Sequence, residues 1–271
     1  MAQWQYISSK SNALIVRMAK LKDKKYRKSE ELFRFDGIKL FNEATQNLAP
    51  VRYVFVSESA SDRFKDAVEE SNIDAMFYTV SDDVFAKLTD EQSPEGIITV
   101  CENLKNISKK DDFDTLSVDL KGQSILILES VRDAGNMGTI LRSAKAFGID
   151  TLVISSDCAD LYNPKTIRAA MGALFTQRVV VVDDASATVK AFRQNGTRVF
   201  AAALERNAKK LGSFELQRGD VIVIGNEGHG LSKEMIDACD ECLYIPMESG
   251  SESLNASIAA SVCMWELYKT K

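Results

Sequence analysis

The chain has 271 residues, 45% of them hydrophobic, and 34 basic against 39 acidic side chains give a formal net charge of -5 at pH 7. That length and apolar content allow one large or two ordinary packed domains, and the acidic balance argues against nonspecific coating of nucleic acid without excluding a local basic surface. No run approaches the roughly 20 apolar residues of a membrane span, the opening MAQWQYISSK lacks a secretory apolar core, and five cysteines suit reduced thiols, so a cytoplasmic protein is expected.

The N-terminal third combines a helical pattern, SNALIVRMAKL, with the apolar runs VRYVFVSES and GIITVCEN, the second after a Pro-Glu-Gly turn signal at 94–96. A small α/β domain over 1–105 is expected. Within it, AKLKDKKYRKSEE gathers Lys20, Lys22, Lys24, Lys25, Arg27 and Lys28 around Tyr26, with only Asp23 opposing them. Such a run is either a solvated face or a basic surface for RNA phosphates. From 106 to 123, NISKKDDFDTLSVDLKGQ loses apolar periodicity, and a linker is placed there.

Beyond it, 124–271 reads as a second domain. The runs SILILES, TLVISS, RVVVVDD, RVFAAAL, DVIVIGN and CLYIPM alternate mostly with helical segments, which predicts a mainly parallel sheet covered on both faces. Ligands of such sheets bind outside the carboxyl ends of the strands.

Three clusters stand at those ends. In LESVRDAGNMGTILRSAKAFG, a strand runs into Asp133, Gly135, Asn136 and Gly138 before a helix bearing Arg142. The glycines do not form the GxGxxG dinucleotide fingerprint, which disfavours a nicotinamide-dependent oxidoreductase. In VIVIGNEGHGLS, a β-branched strand meets Gly225, Asn226, Glu227, Gly228, His229 and Gly230; the spacing fits either a ligand-approaching loop or a plain glycine-rich turn. The third, YIPMESGSESLNASIAASVCMWELYK, gives a strand, a break at Pro246, a Gly/Ser loop and a helix starting near Ser253 as cap. Cys239 and Cys242 form a lone CxxC with no second ligand pair, and no metal is expected.

Asn136-x-Gly138-x-x-x-Arg142, Gly225-Asn226-Glu227-Gly228-x-Gly230, and Ile245-Pro246-Met247 followed by Ser253-Leu254-Asn255-x-Ser257 resemble, in order, the three motifs of the SpoU/TrmH family of RNA ribose 2'-O-methyltransferases, part of the SPOUT superfamily. NPKTIRAAMGALF at 163–175 and the N-terminal SKSNALIVRMAKLKDKKYRKSEELFRFDGIKLF also resemble family segments, the latter its RNA substrate-binding domain. The family more often has Pro-Gln-Gly where this chain has Glu95, a negative charge in a domain that meets RNA.

The resemblance implies an α/β fold: a C-terminal SPOUT-type parallel sheet with a deep trefoil knot, plus a smaller N-terminal substrate-binding domain. It implies S-adenosyl-L-methionine as cofactor, with Gly225, Asn226, Gly228, Ile245, Met247 and Leu254 as its contacts. It points to Arg142, Asn136, Glu227, Ser253 and Asn255 as the catalytic set, and to a homodimer through the knotted domain. His229 falls at the variable position of its motif. Arginine is a poor base, so Arg142 is expected to orient or polarise the ribose hydroxyl, the structural alternative being an ion pair with Glu227. RNA contacts are expected from Lys22, Lys24, Lys25, Arg27 and Lys28, and the substrate is expected to be ribosomal RNA, the large subunit before others. The competing readings are a transfer-RNA methyltransferase and a catalytically silent, RNA-binding assembly factor.

Overall fold

The computed structural model describes residues 4–248 and 253–270; residues 249–252 of the expected Gly/Ser loop lie outside them. The chain divides into two compact units, 1–105 with 162–175, and 106–161 with 176–271.

The first unit runs β1 (Trp4–Ile7), α1 (Ala13–Ala19), α2 (Lys24–Glu30), β2 (Leu32–Asp36), α3 (Ile38–Gln46), β3 (Val51–Ser57), α4 (Ser61–Glu70), β4 (Met76–Val80), α5 (Asp82–Leu88) and β5 (Ile97–Glu102). Its sheet has the order β1-β4-β3-β5-β2. Ile15, Met18 and Leu21 pack with Val84, Phe85 and Leu88 against Leu32, Phe55, Ile98 and Val100 of the sheet. Asn12 starts α1 by accepting the Leu14 N–H. At the start of α3, Gly37 has φ +99° and no side chain to cap with; the Glu95 carboxylate accepts the Ile38 N–H instead, at 3.0 Å. An anionic group suits that helix end, so the unusual Glu95 has a structural task.

The second unit carries β6 (Ile107–Lys109), α6 (Phe113–Asp119), β7 (Ile125–Leu128), α7 (Ala134–Ala146) and β8 (Thr151–Ser155). The chain then gives α8 (Pro164–Ala170) and a 3-10 turn over Met171–Phe175 to the first unit. There Tyr162 stacks on Phe33 with ring centroids 4.4 Å apart, and Phe175 meets Phe35 edge-on at 5.5 Å. The second unit resumes with β9 (Arg178–Val182), α9 (Ala185–Gln194), β10 (Val199–Ala202), β11 (Lys209–Lys210), β12 (Val221–Ile224), α10 (Lys233–Ala238), β13 (Glu241–Tyr244) and α11 (Ala256–Tyr268).

Its 8-stranded sheet has the order β11-β13-β10-β12-β7-β8-β9-β6, and every pairing is parallel. Ile125, Ile127, Val153, Val180, Val199, Val221 and Val223 share one core with α6, α9 and α10. Side chains alternate along a strand, so Leu126, Leu128, Leu152, Ile222 and Ile224 face the other way, where α7 and α11 pack together and α11 meets β12. Burial on both faces explains the uninterrupted ILIL and VIVI.

Residues 106–123, expected to be a linker, instead belong to the second unit. β6 pairs with β9 as the sheet's edge, and α6 is capped by Asp112 and buries Leu116. A second difference is the start of α11: its cap is Asn255, whose Oδ1 accepts the Ser257 N–H at 2.9 Å, in place of Ser253.

Candidate active site

β7 and β12 are neighbours, with Leu128 opposite Ile224, so their exits lie side by side at the carboxyl edge of the sheet. The loop after β12 is tied to the exit of β7 at successive points. The Glu129 N–H donates to the Ile224 carbonyl at 2.9 Å, and the Glu129 carboxylate accepts the Ser232 N–H at 2.9 Å and its hydroxyl at 2.6 Å. Asn226 Nδ2 donates to the Ser130 carbonyl at 2.8 Å, while its Oδ1 accepts the N–H groups of Gly228 and His229. The Asn226 amide therefore shapes the loop from inside.

Glycine is required here for reasons inside the loop. A Cβ on Gly225 would collide with the Gly230 carbonyl and the Leu231 nitrogen, and Gly230 has φ +69°, a region glycine enters freely. Gly228 has an ordinary φ and room for a Cβ.

Glu227 joins the three motifs. It accepts the backbone N–H of Asp133 at 3.1 Å and of Arg132 at 3.3 Å, and Asn136 Nδ2 at 3.0 Å. Asn136 Oδ1 in turn accepts Asn255 Nδ2 at 2.9 Å, and Asn255 Oδ1 caps α11. With the acceptor-only carboxylate at one end and the helix N–H groups at the other, only one orientation of each amide satisfies the chain. Burial raises the Glu227 carboxyl, but the Asn136 amide and the backbone N–H groups outweigh it and hold the group below the usual carboxylate range.

Arg142 lies on α7, exposed, with no hydrogen bond or ion pair among the described residues; the Arg142–Glu227 ion pair is not formed, because Glu227 is occupied at the start of α7. His229 is exposed. Cys239 belongs to the core of the second unit, and burial pushes its thiol up to about 12.

A cleft of about 270 Å³ opens between the loop after β12 and the segment after β13, lined by Leu204, Gly225, Gly228, Ile245, Met247 and Leu254 among others, with Asn226, Glu227 and Ser253. Leu204 is 78% exposed, Met247 40% and Leu254 38%, an unusual concentration of large apolar side chains in water that a ligand would cover. Apolar walls beside a glycine loop and a carboxylate fit a ligand with an apolar body and a positive charge, and S-adenosyl-L-methionine is one.

At the basic segment, Lys22, Lys24, Lys25 and Lys28 are exposed. Arg27 departs from expectation: it is 5% exposed, and its guanidinium donates to the carbonyls of Leu21 at 2.8 Å and Lys22 at 2.6 Å. It braces the turn that carries the lysines and is not presented to RNA.

The sequence did not reveal the support behind β7. Ser130 has φ +55°, its N–H donates to Ser155 Oγ at 2.8 Å, and its hydroxyl to Asp157 Oδ2 at 2.6 Å. Asp157 also accepts the Ser155 hydroxyl at 2.6 Å and Arg132 Nη2 at 3.0 Å. Burial raises the Asp157 carboxyl, yet the hydroxyls of Ser130 and Ser155 and the Arg132 guanidinium bring it to about 2. These residues belong to no motif; their one sequence signal is their position at the ends of two predicted strands.

A parallel sheet with a glycine loop, an ordered amide chain and an apolar cleft at its carboxyl edge is the layout of an α/β enzyme that binds a cofactor at its strand ends. Residues 123–265 match the SpoU rRNA Methylase family and residues 12–99 match the MRM3-like substrate binding domain. The chain belongs to the SpoU rRNA Methylase family, and it is an S-adenosyl-L-methionine-dependent RNA 2'-O-ribose methyltransferase. It is 28% identical to the 23S rRNA (guanosine(2553)-2'-O)-methyltransferase RlmP of Bacillus subtilis over 96% of this chain and 98% of that one. It is 27% identical to the 23S rRNA (guanosine-2'-O-)-methyltransferase RlmB of Coxiella burnetii over 82% and 90%. The solved structure of the SpoU methyltransferase AviRb from Streptomyces viridochromogenes in complex with AdoMet matches with a TM-score of 0.81 and 25% identity, over 95% of this chain and 97% of that one.

Proposed function

We propose that the substrate is large-subunit ribosomal RNA, methylated on the ribose of a guanosine, and that Arg142, Asn136, Glu227, Ser253 and Asn255 form the reacting end of the site. The observation that carries the assignment of the site is the hydrogen-bonded chain Glu227, Asn136, Asn255, which brings residues of all three motifs beside one cleft. The substrate is supported by the two bacterial relatives, both named for guanosines of 23S rRNA.

When bound, S-adenosyl-L-methionine supplies a methyl group on a sulfonium leaving group. Gly225, Asn226, Gly228, Ile245, Met247 and Leu254 hold it, through loop backbone and apolar surface. Glu227 stays ionised and fixes Asn136, so the amide chain is set before substrate arrives and needs no reorganisation. Arg142, on the exposed face of α7, orients the ribose hydroxyl and an adjacent phosphate; as the oxygen takes the methyl group from the sulfonium sulfur, the hydroxyl proton leaves to water. Lys22, Lys24, Lys25 and Lys28 supply phosphate contacts on the first unit. The deep trefoil knot belongs to this reading, supported by the return of the chain from β13 to α11, beside α7 and β12. A cytoplasmic location follows from the substrate, and among the described residues no helix is long and apolar enough to cross a membrane.

A second copy of the chain is the proposed partner. α11 buries Ala260, Cys263, Met264 and Leu267, yet Ile258 is 50% exposed, Trp265 47% and Tyr268 44%. A helix apolar on all sides is normally covered on all sides. Sedimentation of the purified protein should give a dimer and Trp265→Glu a monomer.

The deciding experiment incubates the protein and its Arg142→Ala variant with methyl-labelled S-adenosyl-L-methionine and unmodified 23S rRNA or transfer RNA, followed by nucleoside mass spectrometry. Label on a guanosine ribose of 23S rRNA, lost in the variant while cofactor affinity persists, supports the reading. Label on transfer RNA alone overturns the substrate.

A further inference from the structure

The exit of β7 is acidic: Glu129, Asp133, Asp157 and Glu227 all stand there or are bonded to it. A polyanionic substrate meets that edge only where a cation offsets the carboxylates. Arg132 is placed for the task. Its backbone N–H donates to Glu227, the carboxylate that fixes Asn136. Its side chain remains 68% exposed and is held by Nη2 on Asp157 at 3.0 Å.

The holder is itself fixed. Asp157 takes the hydroxyls of Ser130 and Ser155, and Ser130 has its N–H, hydroxyl and carbonyl all bonded, to Ser155, Asp157 and Asn226. A non-glycine residue at φ +55° is a backbone conformation that persists only when its surroundings enforce it. The effect is to hold residues 131–133 against the loop after β12, through the Arg132 and Asp133 N–H groups on Glu227, while the Arg132 guanidinium rests on Asp157 at the β8 side of the same edge. One of its five N–H donors is on Asp157; an exposed pair of this kind contributes little to folding but limits the directions in which the remaining donors point.

We propose that Arg132 is a contact for a phosphate flanking the target nucleotide, and that Asp157 is a positioning residue acting through Arg132 and Ser130. The proposal rests on RNA being the substrate, and its test uses whichever RNA the wild-type enzyme methylates. Arg132→Ala should raise KM for RNA about tenfold, leave kcat within about twofold and leave S-adenosyl-L-methionine affinity unchanged. It should reduce the slope of log affinity against log salt by about one counterion. Arg132→Lys should restore the slope but only part of KM, since it keeps charge without the planar fork. Asp157→Asn should raise KM less than Arg132→Ala and leave the slope intact.

An unchanged KM and salt slope in Arg132→Ala overturn the proposal. So does a parallel loss of cofactor binding and melting temperature, which would make Arg132 a structural brace. Wild-type methylation of transfer RNA in place of 23S rRNA would overturn the substrate named above; the Arg132 comparison, made on that transfer RNA, would still decide this one.

Discussion

Asn255 Nδ2 donates to Asn136 Oδ1 at 2.9 Å across 119 residues of sequence, so the cap of the last helix and the first turn of α7 are parts of one object. Asn136 also donates to Glu227, and its amide cannot turn without breaking both bonds. Asn136→Asp replaces the donor facing Glu227 with an anionic oxygen. It should lower methyl transfer by two orders of magnitude or more and raise the Glu227 carboxyl. Asn255→Ala should show the same loss and, through the missing cap, about 1 kcal/mol of stability; denaturant unfolding beside a methyl-transfer assay separates the effects.

The three glycines of the loop should respond unequally. Gly225→Ala forces the loop apart at Gly230 and Leu231 and should weaken S-adenosyl-L-methionine binding more than tenfold by calorimetry. Gly230→Ala meets nothing nearby but must hold φ +69°, costing about 1 kcal/mol. Gly228→Ala should bind cofactor nearly as the wild type does.

Arg27 and its lysine neighbours should divide along burial. Lys24→Ala with Lys25→Ala and Lys28→Ala should weaken RNA binding and flatten its salt dependence, with little change in melting temperature. Arg27→Ala should instead destabilise the first unit by about 1–3 kcal/mol, as two carbonyls lose a charged donor. A salt slope lowered by Arg27→Ala at unchanged stability would overturn that division.

Asp36 gives the first unit a pH dependence. Burial raises its carboxyl to about 6, against the Thr89 hydroxyl at 2.7 Å and the Arg34 charge, which lower it. An unfolded aspartate titrates near about 3.9. The folded chain therefore holds the proton more tightly, and the stability gained below pH 4 is lost as pH rises through about 6. Asp36→Asn keeps an acceptor for Thr89 and removes the charge. Its melting temperature should exceed that of the wild type by a few degrees at pH 7.5 and coincide with it at pH 4.

The large sheet was legible because strands buried on both faces read as apolar runs: ILIL, TLVIS, RVVVV and VIVI became β7, β8, β9 and β12. The residues of the amide chain were legible through motif spacing, whereas their mutual bonds were not, since nothing local says that Asn255 reaches Asn136. β6 escaped notice because a three-residue edge strand, ISK, has no room for a pattern and exists by pairing with β9. The signal of α6 was present in Phe113, Leu116 and Leu120, spaced for one helix face, but the surrounding aspartates and lysines masked it. Arg27 looked like its neighbours in composition; only the path of the chain buries it.

Tyr162 and Phe175 complete a core whose other walls, Phe33 and Phe35, lie well over a hundred residues earlier. On a translating ribosome that makes about 5–20 residues per second, the first 105 residues emerge several seconds before the segment that covers those rings. The N-terminal unit thus spends that interval with an aromatic face uncovered, exposed to chaperones or to its own nascent copies. For the same reason, a gene cut after residue 105 should yield an aggregation-prone fragment, and one cut to begin at 106 should leave Tyr162 and Phe175 without their aromatic partners.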